Sequence, residues 1–143
     1  MSFIGKWYGK AKLNAFKKKI DWSNDDIKVM LLDSTYAPDQ DIHEFLADVS
    51  SFEVSGDGYT SGGMLISNRN MNYQSENNRI SFTGDDVAWY PITISAKYAV
   101  IYNNTGTNKV LIGCLDFGEE RSIEDGLFEI QWHQDGIMWI ESE

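Results

Sequence analysis

The sequence of 143 residues has one cysteine, two prolines and no long apolar run. The lone Cys114 excludes an intramolecular disulfide and any cysteine-rich zinc site. Apolar stretches such as Ile27–Leu32, interrupted by Lys28, fall far short of the roughly 20 residues a membrane-spanning helix needs. Residues 1–10 hold only scattered apolar side chains, so no secretory leader is expected there. With 42% hydrophobic residues and 13% aromatics, the chain is too rich in core formers for disorder. These features predict one soluble, compact domain of a reducing compartment, with no membrane partner.

Basic residues are also scarce, 12 Lys+Arg against 22 Asp+Glu for a net charge of −10, and the scarcity is uneven. Residues 1–20 carry Lys6, Lys10, Lys12, Lys17, Lys18 and Lys19 with no acid, a charge of +6. Residues 21–143 set the other six basic residues against all 22 acids, a charge of −16. A basic segment on an acidic body suits nucleic acid, an anionic membrane or an acidic protein surface. The body would be repelled by DNA, so nucleic acid would have to be held by the segment alone. Protein partners are therefore expected before nucleic acid.

Hydrophobic patterning divides the chain at the same point. Gly5–Ile20 reads as a helix with Leu13, Phe16 and Ile20 as its apolar stripe and lysines around it. Ile27–Leu32 reads as a strand, and Asp39–Val49 as a short helix with Ile42, Phe45, Leu46 and Val49 on one face. Ser50–Gly63 is glycine-rich and loop-like. From Met64 the pattern is β: Met64–Ser75, Arg79–Thr83, Val87–Ser95, Lys97–Asn103, Lys109–Phe117, Leu127–Trp132 and Ile137–Glu141. Asn103-Asn104-Thr105-Gly106 marks a hairpin, and Gly118–Asp125 reads as an acidic connection. The expected fold is mainly β: a single β-sandwich or jelly-roll-like domain of about eight antiparallel strands over 21–143. A basic helical arm over 1–20 precedes it.

No catalytic, cofactor-binding or metal-binding pattern emerges. His43 lacks a second histidine four residues away, and His133 has no nearby Cys or His. Ser61 lies in Gly58-Tyr59-Thr60-Ser61-Gly62-Gly63, which fails the spacing of a nucleophile elbow and lacks the ending of a phosphate loop. Cys114 sits in an apolar strand as a small hydrophobe. The pairs Asp25/Asp26, Asp85/Asp86 and Glu119/Glu120 read as solvated turns, and Asp39-Gln40-Asp41 begins a calcium loop without completing it. Among the aromatics, Trp132 and Trp139 are read as core. Trp7 and Tyr8, on an arm with little core of its own, are read as contact residues.

One resemblance extends over nearly the whole chain. Its most specific part is Ile20-Asp21-Trp22 with Ile27–Asp41, continuing through His43–Val49 and Glu53–Gly63. Tyr98–Tyr102, Leu111–Gly118, Phe128–Trp132 and Asp135–Ile137 fit it as well. These segments resemble a group of small structural proteins encoded in tailed-phage and prophage virion gene clusters. The resemblance implies a non-enzymatic virion component without cofactors, most plausibly a head decoration or cement protein. Its partners would be the major capsid protein or other virion proteins, and it would form a homodimer or homotrimer. The alternative is a tail, neck or fibre structural protein that binds host-surface glycans. On the decoration reading the capsid-contact residues are Lys6, Trp7, Tyr8, Lys10, Lys12 and Lys17, on an arm removable without unfolding the β domain; on the alternative the tryptophan-bearing sandwich would bind the sugar.

Overall fold

The computed structural model describes residues 2, 3 and 5–142; Met1, Ile4 and Glu143, at the margins of the two expected segments, lie outside the described residues. The elements are β1 (Ser2–Phe3), β2 (Lys6–Trp7), α1 (Gly9–Phe16), β3 (Ile27–Leu32), β4 (Met64–Leu65), β5 (Asn70–Gln74) and β6 (Arg79–Thr83). They continue with β7 (Val87–Asn103), β8 (Leu111–Trp132) and β9 (Met138–Glu141). The chain is mainly β, with two sheets in a sandwich-like arrangement. The larger sheet runs β1-β8-β7-β3-β4 with β2 also on β8, and the smaller runs β5-β6-β9. Pairing is antiparallel except for β1, which runs parallel to β8.

The hairpin of β7 and β8 dominates. Its strands have 17 and 22 residues, and at ~3.3 Å per residue each would outspan a compact domain of this size if straight. The hairpin bends instead, because its register slips at four places, between Trp89 and Ile92, Ile92 and Ile94, Ala96 and Tyr98, and Ile101 and Tyr102. Bulges of this kind curve a strand and sharpen its twist. The expected breaks near Ala96 and across Gly118–Asp125 are thus bends within continuous strands. The acidic run keeps its pairing to β7: Ser95 and Ser122 join hydroxyls at 2.7 Å, and Ile123 stands opposite Ile94.

Strand alternation gives the larger sheet two buried faces. One collects Ile27, Val29 and Leu31 with Ala99, Ile101, Ile112, Phe128 and Ile130, and is closed by Trp22, Ile66, Ile137 and Met138. The other collects Met30, Leu32, Tyr98, Val100, Tyr102 and Leu111, and is closed by Tyr8, Ala11, Tyr36 and Val49. The N-terminal segment is therefore a cover of the sheet rather than a detached arm. β2 pairs with β8 at Lys6–Cys114 and Trp7–Gly113, and Ala11 and Asn14 of α1 are buried. This corrects the division at residue 20 and the orientation of the helix. Small Ala11 allows close approach to the sheet, while Leu13 and Phe16, two of the three residues of the expected apolar stripe, face outward.

The short helix expected over Asp39–Val49 is absent. Leu46–Asp48 and Ser50–Phe52 form single 3-10 turns. Asp39 Oδ1 accepts from Asp41 and Ile42, both at 3.1 Å, as at a helix start, and His43 N returns to Asp39 O at 3.0 Å, but the turn goes no further. Asp48 Oδ2 accepts from Glu44 at 3.0 Å and Phe45 at 2.9 Å. Such local bonds compete with helix formation.

Candidate functional site

The six expected contact residues separate into three environments. Tyr8 is 1% exposed and belongs to the core. Its hydroxyl shares a hydrogen bond of 2.7 Å with that of Tyr36, which in turn lies 2.9 Å from His43 Nδ1. Burial raises the Tyr8 pKa far above the usual phenol range. Tyr8 cannot meet a partner without unfolding, so its assignment as a contact residue is corrected. Lys10 is tied to Glu44 at 3.6 Å, beside Asn14, whose amide also reaches Glu44 at 3.2 Å. Lys6, Lys12 and Lys17 are exposed and form no ion pair among the described residues.

Trp7 and Lys12 come together at a groove of about 810 Å³ between α1 and the smaller sheet. Its helical wall holds Lys12, Ala15 and Phe16, and its sheet wall holds Met71, Ile80, Phe82 and Ile140. Trp7 forms part of the floor. Its indole N–H donates to Trp139 O at 3.0 Å, its ring meets Phe82 edge-on at 5.2 Å, and Lys12 Nζ lies 5.7 Å from its centre. Trp22 completes the floor: its indole donates to Thr83 O at 3.2 Å, and Arg69 Nε donates to its carbonyl at 2.7 Å. Phe16 stands 91% exposed at the rim.

The rim exists because α1 ends abruptly. Lys18 adopts the left-handed conformation at φ 64°, and the amides of Lys18 and Lys19 return to Ala15 O and Asn14 O at 3.0 and 2.9 Å. This stop reverses the chain and brings Lys18 and Ile20 to the groove. Asp21 is the one carboxylate among the described residues lining the groove, and a hydrogen bond from the Asn24 side chain holds its pKa below the usual range. Sequence periodicity put Leu13, Phe16 and Ile20 on one apolar stripe, and nothing local marked Met71, Ile80 or Ile140. These meet Phe16 only through the pairing of β5, β6 and β9.

The remaining chemistry-bearing residues serve the fold. Glu53 accepts from Tyr59 at 2.7 Å, Gly62 N at 2.7 Å and Ser61 at 3.0 Å, pinning the glycine-rich loop. In that loop Gly63 has φ +82°, and a side chain there would strike Val29 O at 1.8 Å. Asp86 accepts from Trp132 N and Asp85 O from the Trp132 indole, both at 2.8 Å. Burial pushes the Cys114 thiol up to about 11, leaving it protonated at neutral pH. His43 and His133 have separate partners, Tyr36 and Asp135. Among the described residues no three His, Cys, Asp or Glu side chains converge as metal ligands. Comparison with protein families, characterised proteins and solved structures finds no match to this chain.

Proposed function

We propose that the protein is a phage virion structural component, a decoration or cement protein of the assembled head. It docks without covalent chemistry through the groove face of its N-terminal segment, onto the major capsid protein or an adjoining virion protein. One observation carries this reading: exposed Phe16, an apolar groove and lysines free of ion pairs among the described residues share one face of an otherwise acidic chain. Burying that face against a complementary surface is favourable through apolar area, and its charge selects an acidic partner. The resemblance of Ile20–Gly63 to small virion proteins supplies the setting. Binding the assembled shell but not its disrupted form stabilises the shell by mass action. A dimer or trimer would suit the symmetric positions of a shell.

Because Tyr8 and Ala11 are buried, deleting residues 2–19 would open the core, so point substitutions are the informative test. Lys12→Glu, Lys17→Glu and Lys18→Glu, combined, are expected to lower occupancy on particles lacking the protein at least tenfold, with the circular dichroism spectrum unchanged. Equal occupancy would overturn the reading. A tail, neck or fibre location would put the protein's density on the tail in particle maps. The glycan-binding form of that alternative finds Trp22, Trp89 and Trp132 buried and Trp7 and Trp139 half-buried, so no tryptophan stands fully exposed as a stacking platform. It would rely on Tyr90, 76% exposed, beside a depression of about 530 Å³ edged by Asp57 and Asp125.

A further inference from the structure

The smaller sheet has one covered edge and one open edge. On the β9 side, Gly5 N donates to Ile137 O at 2.9 Å and the Trp7 indole to Trp139 O, so the N-terminal segment closes that edge. On the other side β5 pairs only with β6, and no described strand lies beyond it. Open edges are ordinarily guarded by charge, proline or a bulge. Here Asn70-Met71-Asn72-Tyr73-Gln74 has no charge and no proline, and its register to β6 is unbroken over all five residues. That register places Met71 and Tyr73 on the same sheet face as Ile80, Phe82 and Ile140, the face lining the groove. Tyr73 is 60% exposed there.

We propose that β5 receives an extended, acidic segment of a partner protein as a fourth strand, its alternate apolar side chains entering the groove. Strand addition satisfies the main-chain groups of an open edge, and pockets for every second side chain give selectivity. Charge complementarity fixes the partner's chemistry. Among the described residues lining the groove, Lys12 and Lys18 stand against one carboxylate, Asp21; Lys17 and Lys19 adjoin it on one wall, while Glu141 on the other is paired with Arg79. Flanking Asp or Glu on the incoming segment would meet them. A second copy of this chain fits less well. Two such faces would oppose their lysines, and the chain's own acidic strand is bulged where Lys97 alone spans Phe117–Glu120. Between that bulge and the next register shift, which takes in Glu124 and left-handed Asp125, only Arg121–Ile123 remain regular. The inference rests on the groove face being a docking surface, as proposed above, and adds its mode and partner chemistry.

Panning a random dodecapeptide display library against the intact protein tests it. The expected consensus alternates aliphatic or aromatic residues between Asp or Glu flanks. Bound synthetic peptide should shift the NMR amide signals of Met71, Asn72 and Tyr73. Lys12→Glu with Lys18→Glu should weaken it at least tenfold, as should N-methylation of the peptide's central amides, which leaves the protein untouched. No enrichment, a basic consensus, or equal binding of the N-methylated peptide would overturn strand addition. So would a dimer in light scattering with the same β5 shifts and no peptide, since the occupant would be a second copy. If strand addition fails while the lysine variants still leave the particle, the decoration role stands. If the peptide binds and the particle does not, that role falls alone.

Discussion

The two faces of the larger sheet are held in different ways. The face closed by Trp22 and Ile137 is packed almost wholly by aliphatic and aromatic hydrocarbon. Its rings meet edge-on, Trp89 with Phe128 and Phe117 with Phe128, at 6.0 and 5.7 Å. The opposite face is a layer of tyrosines, Tyr8, Tyr36, Tyr98 and Tyr102, three of them with hydroxyls in hydrogen bonds within the fold. Hydrocarbon packing is roughly proportional to area and tolerates repacking, whereas a buried hydroxyl demands one partner in one place. The first face thus supplies cohesion. The second fixes where the N-terminal segment lies, and with it the groove.

Four substitutions or titrations probe this contrast. Phe128→Ala removes the ring shared by Trp89, Phe117 and the Arg121 guanidinium, 4.6 Å from its centre. A loss of about 3–5 kcal/mol is expected in urea denaturation. Tyr8→Phe keeps the ring but strips Tyr36 of a partner, for a loss of about 1–2 kcal/mol. It should also loosen α1, seen as faster amide exchange there than in β7. A loss below about 0.3 kcal/mol would remove the distinction between the faces.

Alkali should act chiefly on the tyrosine face, with Tyr59, which burial also raises, adding to it from the other face. Burial raises Tyr36 and Tyr102 to about 12, the Cys114 thiol beside them to about 11, and Tyr8 further still. The unfolded chain releases these protons first, near pH 8.5 for cysteine and about 10 for tyrosine. Their stabilising contribution is therefore full below about pH 8.5 and fades as pH rises through the folded values. The urea midpoint should be flat from pH 7 to 8 and fall steadily above 9; a flat profile to pH 11 would contradict the assignment. The smallest effect is a gain. Lys18 occupies a left-handed position that glycine adopts without cost, so Lys18→Gly should add roughly 0.5–1 kcal/mol to thermal stability.

What could be read from the sequence was local. The turn after Asn103 and the strand Arg79–Thr83 rest on neighbouring residues and stand where expected. The union of β7 and β8 into long strands depends on pairing across the hairpin, so the acidic stretch in β8 looked like a connection. Trp7 and Lys12 could be named as candidates because charge and aromatic content mark them directly, and the structure places both at the groove. Tyr8 was misplaced because its partners are Tyr36 and His43, and no periodicity within residues 1–20 reports a hydroxyl that must be buried. The face of α1 that docks was equally hidden: the helix turns its smaller side chains, Ala11 and Asn14, to the sheet, and the apolar stripe of Leu13 and Phe16 is left outside.

The pairing of β2 with residues 113 and 114 imposes an order of events during synthesis. The segment holding β2 leaves the ribosome well before the strand it docks on, because its platform is more than 100 residues further along the chain. At about 5–20 residues per second it waits several seconds with Trp7, Tyr8 and Ala11 uncovered. Its lysines repel one another and keep like chains apart in that interval. A ribosome-stalled chain ending at residue 110 should show no amide protection over residues 5–16; protection there would mean that the segment folds without β8.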